Sequence, residues 1–212
     1  MIQGIGMIVL VAAVAAINIS GDLNASAAQS NARVPSEKEN IVIPPVVNEK
    51  YEYYEVCGCC EKDLHCDLKD KCLKWTDGNK YDSVTNWKVT WDYGLKRSLR
   101  QCAVDSFLVT VDVVFHLPKW ARPGDAPRPL VEKWDNYTEK LMVHEKGHRD
   151  RAVDAASELT RAIAELPPAS ACVDIDRAVH KLCHARMDRL LEDQETYDEV
   201  TKHGYTQGAA FP

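Results

Sequence analysis

The sequence predicts an α+β protein in which a small antiparallel sheet packs on a long antiparallel helical hairpin. Three observations predict it. Residues 86–94 and 106–118 alternate apolar and polar side chains with a period of two, as half-buried strands do. Two later stretches, starting near Leu130 and Asp174, repeat apolar residues every three or four positions, as amphipathic helices do. A proline pair, Pro167 and Pro168, separates the two helical stretches and marks a turn between antiparallel partners.

The elements follow in chain order. Residues 4–17 are an uninterrupted apolar run, followed by small and then polar residues. Residues 1–28 therefore read as a signal peptide cleaved near Ala27 or Ala28, or as an N-terminal anchor if uncleaved. No Lys or Arg precedes the run, and the run is short for a bilayer span. The expected location is secreted or periplasmic. Residues 29–80 read as a polar, proline-containing linker plus a Cys-rich segment. Five of the 8 cysteines fall between Cys57 and Cys72, and the others are Cys102, Cys172 and Cys183. An even count behind an export-type leader points to disulfides. A metal knuckle that includes His65 is the competing reading, but no C-x2-C pair supports it. Without apolar periodicity, the segment is expected to be a loop held by cross-links.

Residues 81–212 are expected to form the functional domain. In the first strand Trp87, Val89, Trp91 and Tyr93 share a face, and Gly94 is expected to stop it. In the second, Phe107 through Leu117 share a face, and Pro118 is expected to end it. His116 falls on the polar face and reads as solvent-facing. The first helix carries a stripe of Leu130, Trp134, Tyr137, Leu141, Leu159 and Ile163. Asp174 is expected to cap the second helix, whose stripe includes Ile175, Val179, Met187, Leu190, Gln194 and Tyr197, with Gly204 closing it.

His144 and His148 fall on the apolar stripe of the first helix, within His-Glu-x-x-His. Two imidazoles buried there need partners for their nitrogens. Residues four apart share one helical face, so both rings can converge on one ion. Glu145 sits at the edge of the stripe, where it can reach a metal-activated water without ligating the metal. A zinc site of this kind is expected to use a third protein ligand. Asp154 points to the far side, because Arg151 stands where a helix-breaking glycine would be needed. Glu192, Glu195, His180 and His184 lie toward the polar side of the second helix. Asp193, near the stripe, and His203, at the Gly204 terminus, remain the candidates. Tyr205 could donate to a developing oxyanion or simply pack in the tail.

The charge of −6 and a pI near 5.7 leave no basic footprint, which argues against a nucleic-acid partner. The stretches YDSVTNWKVTWDYG, LPKWARPG, HEKGHRDRA, LPPASAC and YDEVTKHGYTQGAAFP, in that order, resemble a bacterial family of predicted secreted zinc-dependent proteases. The resemblance covers roughly residues 81–212 and leaves the cysteine cluster outside. It implies that His144 and His148 bind Zn2+, that Glu145 is catalytic, that Cys102 pairs with Cys172, and that His203 has a role. The expected activity is a zincin-like metallopeptidase in which His144, His148 and His203 hold Zn2+ and Glu145 serves as base on a peptide or protein substrate. The alternative is a disulfide-stapled envelope binding or scaffold protein with a structural or vestigial metal.

Overall fold

The computed structural model describes residues 43–74 and 78–211; the expected signal segment and the first part of the linker lie outside them. Eight elements follow in order: β1 (Val46–Val56), α1 (Glu61–Lys71), β2 (Leu73–Lys74), β3 (Lys80–Tyr81), β4 (Val84–Arg97), β5 (Cys102–Trp120), α2 (Arg128–Ala164) and α3 (Cys172–Thr201). Among the described residues the protein is α+β, with a three-stranded sheet of order β1-β5-β4, a two-stranded sheet of β2 and β3, and three α-helices.

β4 and β5 pair antiparallel, as their alternation and short connection predict. The sheet as a whole is mixed, which corrects the antiparallel expectation, because β1 runs parallel to β5 with Tyr51 opposite Phe115. β1 lies inside the stretch expected to be linker. Its Glu49, Lys50, Glu52 and Glu55 hide the strand from an apolar pattern, yet an edge strand buries only part of one face. Tyr51, itself exposed, stacks on its ladder partner Phe115 at 4.9 Å, and only Val56 of this strand is fully buried. The cysteine cluster likewise differs from a cross-linked loop: residues 61–71 form α1, which buries Leu64 and Leu68 one turn apart. Burying those two leucines contributes about 1.5–3 kcal/mol each and docks α1 beside β1.

Neither expected strand stop holds. β4 passes through Gly94 with a register shift at Gly94/Leu95, and a Cβ on Gly94 would lie 2.7 Å from Ser106 Oγ. The glycine thus allows a close approach between strands and a local irregularity, not an end. β5 passes through Pro118 to Trp120. Pairing with β4 ends at His116, so on that side Pro118 has no ladder to break.

One face of the sheet, with Trp87, Val89 and Trp91 from β4 and Val109, Val111 and Phe115 from β5, joins one core with Leu130, Trp134, Tyr137 and Leu141 of α2. α2 starts with Pro129 in its first turn, where the missing N–H costs no helical bond. Its 37 residues span about 55 Å. α3 begins at Cys172, two residues before the expected cap at Asp174, which instead lies in the first turn. A disulfide joins Cys172 to Cys102, and Cys102 exchanges two backbone hydrogen bonds with Ala169, so the start of β5 is tied to the α2–α3 connection. Among the described residues no helix is long and apolar enough to cross a membrane.

Candidate metal centre

α2 carries His144 and His148 on its buried side, one turn apart, with ring centroids 4.8 Å apart and planes at 84°. Each ring uses its Nδ1 on a glutamine. Gln207 Oε1 lies 3.0 Å from His144 Nδ1, and Gln194 Oε1 lies 2.6 Å from His148 Nδ1. An amide oxygen only accepts, so each Nδ1 carries the proton and each Nε2 presents a lone pair. The two Nε2 atoms face each other at 3.3 Å. Asp198, on the last turn of α3, completes the group: its Oδ1 lies 3.4 Å from His144 Nε2 and 3.1 Å from His148 Nε2.

These distances test whether the residues suit a metal. Ligands about 2.0–2.1 Å from a tetrahedral zinc stand about 3.3 Å from one another. The three donor atoms form a triangle with edges of that size. Asp198 Oδ1 is buried and has no hydrogen bond of good geometry, an orphaned acceptor that a cation would satisfy. Two neutral imidazoles and a carboxylate are a donor set that suits zinc. Electrostatics agree in direction. Burial pushes the Asp198 carboxyl up, but the approach of His144 and His148 and the charge of His203 hold it far below the ordinary carboxylate range. The His148 imidazole runs the other way: burial pulls it down, yet Asp198, Glu145 and Gln194 together set it above its ordinary value, so a cation must displace a proton from the metal-free group.

The surrounding residues fix the candidate ligands. Tyr197 stacks on the His144 ring at 5.0 Å and 16°, and its hydroxyl donates to the His144 carbonyl at 3.2 Å. The Arg151 guanidinium covers the other side of that tyrosine at 3.5 Å. Gly147, inside the His-Glu-x-x-His motif, makes room for it: a Cβ there would fall 2.0 Å from the Tyr197 hydroxyl oxygen. After α3 the chain turns through three residues with positive φ, Lys202, His203 and Gly204. Gly204 lies against the His144 ring, where a Cβ would be 2.9 Å from Cγ. A 3-10 turn, Tyr205–Gln207, then brings Gln207 to His144, and Phe211 packs on Trp134 and Tyr137.

Glu145 is buried on the side of α2 that faces β4. Ser83 Oγ donates to its Oε1 and Thr85 Oγ1 to its Oε2, both at 2.5 Å. Asp82 is anchored as well, accepting from Tyr137 at its carboxylate and from Tyr54 at its carbonyl. Ser83, Thr85, Glu145, His144, His148 and Asp198 all line one cleft of about 330 Å³.

The structure brings together His144, His148 and Glu145 from the sequence reading. His203 lines the same cleft but is half exposed; its Nδ1 lies 3.5 Å from Asp198 Oδ1, and its ring packs near Tyr81. It does not join the converging triangle. Asp193 ion-pairs with Arg186 at 3.5 Å instead. His180 meets Tyr93 and Asp176 on another surface, and Tyr205 is exposed. Asp198 is the residue the sequence reading did not reach. Its signal was Gln194, a buried amide on the apolar stripe of the second helix: one turn further on, residue 198 flanks that stripe.

Residues 51–204 match the family described as "Bacterial protein of unknown function (DUF922)", and the chain belongs to that family. The match includes the cysteine cluster, which the sequence resemblance left out. No curated protein matches the chain, and no solved structure does.

Proposed function

We propose that the protein is a zinc-dependent hydrolase, a secreted or periplasmic metallopeptidase acting on peptide or protein substrates. The observation that carries this reading is the triangle of His144 Nε2, His148 Nε2 and Asp198 Oδ1 at the edge of an open cleft. Asp198 takes the third ligand position, and His203 stands beside it, placed to touch substrate. An antiparallel hairpin of α2 and α3, zincin-like in logic, belongs to the same proposal. Contacts in opposite sequence order support it, since His144 meets Asp198, His148 meets Gln194 and Glu158 meets Arg186. Export is supported by the Cys102–Cys172 disulfide, a bond that persists in oxidising compartments.

When bound, zinc acidifies an attacking water and polarises a scissile carbonyl. The chain supplies the rest. Gln194 and Gln207 hold the imidazoles in the ligating tautomer. Glu145 takes the proton of the attacking water and returns it to the leaving amine. Ser83 and Thr85 hold the Glu145 carboxylate in one orientation.

One observation favours a second reading. Both Glu145 oxygens are already engaged by buried hydroxyls, as in a carboxylate that only braces β4 against α2. The protein would then be an envelope scaffold with a structural metal. The deciding experiment measures zinc content and peptide hydrolysis of the parent beside Glu145→Gln and Asp198→Asn. The enzyme reading expects about one zinc per chain in the parent and in Glu145→Gln, turnover lowered about 10²–10⁴-fold in Glu145→Gln, and zinc lost in Asp198→Asn. Zinc without hydrolysis of any peptide mixture in the parent would refute the peptidase and leave the scaffold.

A further inference from the structure

The start of α1 gathers a donor set unlike that of the cleft. Cys60 is the N-cap residue of α1, Cys59 precedes it and Asp63 lies in the first turn. The Cys59 thiol lies 3.2 Å from Asp63 Oδ2, and the two sulfurs and a carboxylate oxygen all fall within 4.8 Å of one another. All three side chains are exposed.

The loop that presents them is built into the fold. Gly58 lies so close to α1 that a Cβ would fall 2.8 Å from the Leu64 nitrogen. Its carbonyl accepts from Trp120 Nε1 at 3.0 Å, and the Cys57 N–H donates to Asp67 Oδ2 at 2.6 Å. Adjacent thiols are thereby held at the entrance to the helix by contacts to β5 and to the body of α1.

Disulfide pairing cannot account for the whole cluster. Cys102 and Cys172 are joined to each other, and Cys183 is fully buried in the core of α3. That leaves Cys57, Cys59, Cys60, Cys66 and Cys72, all free in the structure. Five is odd, so internal pairing leaves at least one thiol over.

We infer that Cys59, Cys60 and Asp63 form a second metal site, for a thiophilic cation of the zinc type. Two thiolates select zinc, cobalt(II) or similar ions over magnesium and calcium, which prefer oxygen donors. Binding replaces two S–H bonds by two metal–sulfur bonds and releases two protons. The exposed position leaves the remaining coordination to water or to a neighbouring thiol. This site is independent of the peptidase proposal, since it shares no residue with the cleft.

Cobalt(II) is the probe, because a sulfur-to-cobalt charge-transfer band can arise only from a thiolate ligand. The reduced full-length protein is titrated with Co2+ without oxygen, beside Cys59→Ser/Cys60→Ser and Asp63→Asn. The expected result is a near-ultraviolet charge-transfer band in the parent, lost in the double serine variant and acquired only at higher Co2+ in Asp63→Asn. All three proteins keep whatever cobalt absorption the His144–His148–Asp198 group gives. No charge-transfer band in the parent, or an unchanged band in the double serine variant, overturns the site. So does protein isolated without reductant in which Cys59 and Cys60 are both found in disulfides.

Discussion

Gly147→Ala tests the packing that aligns the candidate metal ligands, because two effects of known size oppose each other there. An alanine inside a helix is worth up to about 1 kcal/mol over glycine, so helix propensity alone predicts a gain in stability. The structure predicts the reverse. The new methyl would sit 2.0 Å from the Tyr197 hydroxyl oxygen, 2.4 Å from Cζ and 2.8 Å from Cε1. Tyr197 cannot swing aside freely, since His144 stacks on one face of its ring and Arg151 covers the other. The clash must be relieved by separating α2 from α3, and overpacking of this kind costs about 1–3 kcal/mol. The net expectation is a loss of up to about 2 kcal/mol, a fall in Tm of up to about 8 °C for a domain of this size. Asp198 follows Tyr197 directly, so the same shift pulls a ligand away, and zinc affinity should drop about 10–100-fold, as for loss of a group that orients a ligand. Thermal unfolding of the metal-free protein reads the first effect, and chelator competition for zinc reads the second. A variant at least as stable as the parent, with unchanged zinc affinity, would refute the reasoning.

Two further predictions concern groups away from the motif. Gln207→Ala removes the partner of His144 Nδ1 and releases the ring to either tautomer; zinc affinity should fall about 10–100-fold in chelator competition while the unfolding midpoint stays close to that of the parent. Replacing Cys102 and Cys172 by serine opens a link between residues 70 apart in sequence and should cost up to about 4 kcal/mol, measured by denaturant unfolding, with the His144–His148 pair still binding zinc in the folded fraction.

Much of this fold is visible in the sequence because it is periodic. The stripe from Leu130 to Ile163 and the alternation from Trp87 to Leu117 each bury one face, and each appears in the structure on the expected residues. The same logic exposed the candidate metal centre, since two histidines on an apolar stripe demand an explanation. β1 was illegible for the opposite reason: as an edge strand with four charged residues it offers no clean alternation, and a partner 64 residues away, as Tyr51 is from Phe115, leaves no local trace. Asp198 was missed because it flanks the buried stripe of α3 and does not lie on it. Its approach to the histidines depends on how far α3 is rotated against α2, which Tyr197 and Gly147 set through a contact between helices. His203 looked the better ligand because a chain reversal at Gly204 leaves side-chain direction open; the reversal turns out to seat Gly204 on His144.

The parallel pairing of β1 with β5 also bears on how the chain reaches its native state. β4 and β5 are neighbours in sequence, and α2 and α3 follow directly, so these four can assemble through short-range contacts. β1 must close a far longer loop before it pairs, and until it does, one edge of β5 stays open. The stretch of that edge which β1 covers, residues 110–120, carries Val111, Val113 and Val114 and is the kind that recruits other strands. A fragment beginning after Val56 would retain every residue of the metal centre and the cleft, yet carry this edge permanently bare. Insolubility of such a fragment would therefore report an unprotected strand and not a damaged site.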